Sequence, residues 1–213
     1  MSGAQNSKGT IQSWQDRDHF ITFRDAPPDW EFHDLAYEQH SCLLGEIFQA
    51  DTLLRPRLVC RDEKNCEFVV AFYPDDHAVM PRLLEGFKVG YTIAIFYPVG
   101  HVFLDRTAGF RVEKTEKVLI IPLRLRDVLV MNEQAVEFVD RNCAARKCHG
   151  CGEVKDKLDK CARCELFHYC NRECQTKGWD NHKKYCKVLK DENVKKMLLL
   201  DYNTFTGGQV SFH

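Results

Sequence analysis

No stretch of this chain approaches the roughly 18 consecutive apolar residues that a membrane-crossing helix requires, so no membrane span is expected. The opening residues, MSGAQNSKGTIQSWQDRDHF, lack the apolar core of a secretory signal, and the expected location is intracellular. No basic targeting cluster chooses between nucleus and cytoplasm. Neither charge sign dominates: 30 Lys+Arg against 31 Asp+Glu leave a net −1. That balance excludes a strongly basic protein that coats nucleic acid by charge alone. Also missing are G-x-S-x-G, H-E-x-x-H, a Walker loop and G-x-G-x-x-G, so none of those catalytic or phosphate-cradling devices is written here.

Cysteine is what the chain has in quantity, eleven in all. In a secreted protein that count suggests disulfides; in a reducing compartment, close C-x2-C pairs point to metal. Cys42, Cys60, Cys66 and Cys143 stand apart and read as buried, inert thiols. The other seven fall between residues 148 and 186 and, together with His182, are spaced C-x2-C-x9-C-x2-C-x5-C-x3-C-x7-H-x3-C.

Eight soft donors in four close pairs suit two tetrahedral Zn(II) sites, since each structural ion takes four S or N ligands. Two thiolates in a C-x2-C turn reach one ion. Cys170/Cys174 and His182/Cys186 have the i, i+4 spacing that shares a helix face. Spacing leaves open whether the pairs join sequentially or alternately. A segment this short, with few large apolar groups, cannot build a sufficient core, so the metal replaces it and the metal-free form is expected to unfold. Gly150 and Gly152 suit a tight turn, and Asn171 suits the cap of a helix starting at Arg172. With every ligand position filled by protein, the two Zn(II) are structural, not catalytic.

Upstream, the chain reads as strands. Ser41–Gln49, Pro56–Asp62 and Glu67–Tyr73 precede a helix over about 77–87, capped by Asp75-Asp76. Tyr91–Tyr97, a hairpin of His101–Asp105 with Gly109–Glu113, and Val118–Pro122 follow. Residues 125–142 carry a helical stripe of Val128, Met131, Ala135 and Phe138, with Val139 beside it. No Gly/Ser or Pro linker separates this helix from the cysteine segment. The expected fold is α+β. It comprises an arm over 1–40 that is partly disordered, especially 1–16, with a short helix near 31–39; a β domain over 41–123; a bridging helix over 124–142; the cysteine segment over 148–186; and a helix with a loose tail over 187–213.

Three strands, a helix, then further strands resembles the OB-fold barrel by element order alone. The eight-ligand segment resembles the MYND-type zinc finger over residues 148–186, including Tyr169 before the fifth ligand and Trp179 three residues before the histidine. That resemblance implies an alternating scheme: Cys148, Cys151, Cys170 and Cys174 on one zinc, with Cys161, Cys164, His182 and Cys186 on the other. It also implies a protein-docking module for short proline-containing segments, with contacts at Gln175 and Trp179. An aromatic one helical turn from an amide donor is what an extended proline-rich ligand needs. Trp179 also suits a small core. His149, His168 and the lysines at 183, 184, 187 and 190 read as exposed polar positions.

The expected function is therefore a zinc-dependent protein–protein interaction adaptor of a regulatory complex, and not an enzyme. Some MYND fingers sit within SET methyltransferases, but the Asn-His-x-Cys segment such a core needs is absent; Asn181-His182 belongs to the finger. The alternative is single-strand nucleic-acid binding through the OB-like domain, by Phe72, Tyr73, Tyr91, Phe96, Tyr97, Phe103 and Phe110 framed by Arg55, Arg57, Arg61, Arg106 and Arg111. Charge opposes it, because residues 1–142 hold 16 Lys+Arg and 22 Asp+Glu, a net −6. The sequence names no partner protein and no oligomeric state.

Overall fold

The computed structural model describes residues 9–29, 39–53, 55–74, 80–141, 146–205 and 208–212. Runs rich in β-branched and aromatic residues become strands: β1 Phe20–Ile21, β2 Cys42–Asp51, β3 Arg57–Arg61 and β4 Glu67–Phe72. A short helix, α1 Met80–Leu84, precedes β5 Thr92–Phe96, β6 Gly100–Val102, β7 Ala108–Val112 and β8 Val118–Ile121. Then come α2 Leu125–Phe138, a small hairpin of β9 Asp159–Lys160 with β10 His168–Tyr169, α3 Arg172–Cys186 and α4 Glu192–Leu199. The Asp75-Asp76 cap and most of the helix expected near 31–39 lie outside the described residues.

The chain divides into two compact units, one within Gln15–Val128 and Tyr202–His213, the other within Met1–Trp14 and Leu129–Asp201. The first holds one large sheet in the order β6-β7-β4-β3-β2-β5-β8, with β1 parallel to β2. Alternation along β3 and β4 sends Leu58, Cys60, Phe68, Val70 and Phe72 to one core, where Leu43, Ile47, Ile93, Ile95, Phe110 and Val112 join them. Strand β5 is buried on both faces. On its second face Phe96 packs 5.1 Å from Phe212 and 6.3 Å from Tyr202. The described tail residues, 202–205 and 208–212, are thus not loose: Tyr202 and Phe212 are fully buried. Isolated aromatics in a polar run have no periodicity, so only the partner face reveals them.

The OB-like barrel is not what forms, because among the described residues no ladder joins the edge strands β6 and β8. The sheet nevertheless curls. Strands β5 and β6 stand five places apart, about 24 Å in a flat sheet at ~4.8 Å per step. The residues between Phe96 and Gly100 span only about 14 Å. Tyr97, at φ 52°, turns the chain there. The parallel β4–β7 pairing resembles a barrel's return, but β8 takes the free side of β5 and leaves the seam open.

In the second unit, residues expected to lack order are held by α2. Trp14 is 1% exposed, and its backbone N–H donates to Asn132 Oδ1 at 2.7 Å while Asn132 Nδ2 donates to the Gln12 carbonyl at 3.0 Å. One buried amide thus fixes a segment without any periodic signal. Met131, Ala135 and Val139 of the helical stripe are buried. Asp191 caps α4 through the N–H groups of Asn193 and Val194, and Val194, Met197 and Leu198 fill the space beneath.

Candidate zinc centres

Two turns and one hairpin place the eight donors. In the first turn the Gly152 N–H reaches the Cys148 carbonyl at 2.8 Å, and Gly152 sits at φ +77°, where a Cβ is disfavoured. Gly150 is needed for another reason: a Cβ there would stand 2.1 Å from the Cys174 carbonyl oxygen. In the second turn the Glu165 N–H closes on the Cys161 carbonyl at 2.9 Å.

The β9–β10 hairpin then decides which pairs meet. Cys148 bridges His168 of β10, and the His149 N–H donates to the His168 carbonyl at 2.8 Å. This lays the first turn beside the end of β10, so the Cys170 N–H points at Cys148 Sγ, 3.3 Å away. Asn171 opens α3, its Oδ1 accepting from the Cys174 N–H at 3.0 Å. One turn of helix brings Cys174 to the first cluster; about two further turns carry His182, and about three carry Cys186, to Cys161 and Cys164.

The structure brings Cys148, Cys151, Cys170 and Cys174 together as one group and Cys161, Cys164, His182 and Cys186 as another, with all ligand atoms of each group within 4.8 Å of one another. Cys151 Sγ lies 3.7 Å from Cys170 Sγ, and Cys161 Sγ lies 3.7 Å from Cys186 Sγ. Two sulfurs each ~2.3 Å from a tetrahedral ion would stand about 3.8 Å apart, so the spacing fits zinc. Cys164 Sγ and His182 Nε2 are 3.4 Å apart, a matching tetrahedral edge. The chemistry agrees. Burial pushes the His182 imidazole down to about 4, helped by neighbouring His149, which keeps it neutral and free to ligate. Burial pushes the Cys148 thiol up, but backbone N–H groups of Cys151, Cys170 and Gly150 outweigh it and bring it down to about 6. Both tetrads are closed sets of four protein donors, the arrangement of structural zinc.

A small aromatic core fills the space between the turns and α3. Phe167 and Tyr169 are buried, and the His149 ring sits 4.5 Å from Phe167 and 4.7 Å from Phe138. The exposed position expected for His149 is not found. The turn that aims Cys148 at the metal also turns the next side chain inward, and its ring serves as packing. His168 is half-buried on β10. Neither histidine belongs to a tetrad.

Gln175 and Trp179 lie one turn apart on α3, Gln175 half-buried and Trp179 38% exposed. The indole meets the His182 ring edge-on at 5.8 Å, so one side rests on the finger and the other faces solvent. Lys183, Lys184, Lys187 and Lys190 are exposed. Cys42 and Cys60 are fully buried, and burial pushes both thiols up; Cys66 is half-buried, and Cys143 lies outside the described residues. Of the rings considered for base stacking, Phe72, Phe96, Tyr97 and Phe110 are buried. No helix among the described residues is long and apolar enough to cross a membrane.

Residues 148–186 match the MYND finger family. The chain is similar to histone-lysine N-methyltransferase SMYD1 of Homo sapiens, 44% identical across 22% of this chain and 11% of that protein. It is similar to histone-lysine N-methyltransferase SMYD3 of Homo sapiens, 34% identical across 33% of this chain and 17% of the relative. A third relative is SET domain and MYND-type zinc finger protein 6 of Schizosaccharomyces pombe, 34% identical across 29% of this chain and 13% of its own length. The chain thus spans less than a fifth of each of these relatives, and the matched segments cover the finger region.

Proposed function

We propose that this chain is an adaptor whose zinc finger docks a protein segment, proline-containing and extended, on the α3 face bearing Gln175 and Trp179. The observation that carries the reading is Trp179, left 38% exposed against a closed, buried tetrad. A large indole so placed offers a rigid, partly desolvated platform, and a neighbouring amide one turn away can donate to a ligand carbonyl. The zinc gives that face its rigidity and takes part in no reaction. The same reading has no catalytic step: all eight donors are committed, and the relatives named as methyltransferases resemble the chain only around the finger. Seven thiolates held at metal call for a reducing compartment, nuclear or cytoplasmic.

The test is a titration of the zinc-loaded protein with proline-rich peptides, read from backbone amide shifts. Wild type is expected to bind, and a Gln175→Ala/Trp179→Ala variant that keeps both zinc ions is expected to lose binding at least tenfold. Equal binding by the two proteins would move docking off this face.

A further inference from the structure

The sheet unit carries a second surface that the finger does not explain. At the end where β3 starts and β4 ends, Arg55 and Arg111 both lie over the ring of Tyr73, 4.2 and 4.4 Å from its centroid. Beneath them opens a cleft of about 630 Å³ lined by Pro56, Phe72, Pro74, Met80 and Leu84, with Thr52 at its edge. That size lies within the roughly 300–1,000 Å³ of ligand pockets.

The strand register builds its approach. Arg57, Ala71 and Arg111 stand in one row across β3, β4 and β7, and Val59, Val69 and Gly109 form the next. Small side chains thus floor a trough between two arginines. No side chain can rise at 109, where a Cβ would come 1.9 Å from the Val69 carbonyl oxygen. Arg57 also donates to Asp105 at 3.1 Å and to Thr107 at 2.9 Å, tying the β6–β7 turn to this end of the sheet. That turn and the β2–β3 loop present Leu104 and Leu53 at 107% and 92% exposure.

We propose that this cleft is a docking site for an acidic protein segment, in which a large apolar side chain enters the pocket and flanking carboxylates meet Arg55 and Arg111. Charge selects the partner. Asp51, Glu67, Asp105 and Glu113 also face this side, and Arg57, Arg61 and Arg111 pair with three of them. Arg55 and Arg106 meet no carboxylate among the described residues. The Arg55 guanidinium, held over the Tyr73 ring, keeps its forked donors free for a carboxylate, and Arg111, which reaches Glu113 at 2.8 Å with one amine, offers the rest of its fork. A nucleic-acid strand fits less well: guanidiniums already cover the Tyr73 ring, and the exposed leucines have nothing to read on a phosphate chain.

The experiment uses the full-length, zinc-loaded protein and three labelled probes read by anisotropy. These are a 12-residue peptide pool drawn from Asp, Glu, Leu and Phe, the same pool with Asn and Gln replacing the acids, and a 15-residue oligothymidine. The acidic pool is expected to bind at least tenfold tighter than the amide pool. Arg55→Gln/Arg111→Gln should lose that preference, with an unchanged melting transition. Leu53→Ser should weaken it several-fold, and Gln175→Ala/Trp179→Ala should leave it intact, which separates this site from the finger. Equal binding of both pools, binding of oligothymidine alone, or binding of none overturns the proposal.

Discussion

The two tetrads use nearly the same donors yet sit in different surroundings. Cys161, Cys164, His182 and Cys186 are all buried, whereas in the other group Cys148 is buried, Cys151 is exposed and Cys170 and Cys174 are half-buried. The buried tetrad is the centre of its unit's small core: the His182 ring lies 4.8 Å from Phe167, 5.8 Å from His149 and 6.4 Å from Tyr169. The exposed tetrad works as a clasp, closing the first turn onto the start of α3. The same chemistry therefore does two jobs, one replacing a hydrophobic core and the other fastening an edge.

The largest effect should come from breaking the buried tetrad. A structural zinc site contributes about 10–16 kcal/mol of binding free energy that is also folding free energy. Cys164→Ser is expected to lose both ions and the circular-dichroism signal of α3, while the sheet unit keeps its own melting transition. Cys151→Ser is expected to lose one ion and keep most of the helix. Zinc counted by mass spectrometry decides it, and loss of both ions from Cys151→Ser would erase the distinction between core and clasp.

A smaller effect sharpens the clasp. Gly150→Ala drives a Cβ into the Cys174 carbonyl, and because the obstacle is backbone, the clasp must open by a shift of the turn. A cost of about 1–3 kcal/mol is expected, seen as faster release of one zinc to a chelator with the second unaffected. At Gly152 the obstacle is φ +77° and not space, so Gly152→Ala should cost only about 1 kcal/mol. If the two variants released zinc equally fast, close approach would not be what sets Gly150 apart. The smallest change is Asn171→Ala. It removes the cap accepting from Cys174 N–H and should cost about 1 kcal/mol in thermal stability, with both ions retained.

Legibility along the chain followed the range of the interaction. The strands at 57–61, 67–72 and 92–96 and the stripe on α2 show in the sequence because alternation and 3.6-residue spacing are properties of neighbours. The sheet's open seam was not legible, since nothing in the spacing of β8 says which side of β5 it will take. Likewise His149 reads as a polar residue beside a ligand, and only the turn's direction makes it part of a core. Trp14, Tyr202 and Phe212 are single apolar residues in polar stretches, and their burial depends on partners far along the chain.

Residue type and spacing were enough to supply eight soft donors, their grouping into four close pairs and the need for two ions, because a tetrahedral site takes four ligands and a two-residue turn delivers two of them. Which pair meets which, which tetrad lies inside and which face of Trp179 stays in water came from the fold. Those outcomes rest on β10 lying against the first turn and on α3 crossing the second, contacts between segments whose spacing carries no record of the meeting.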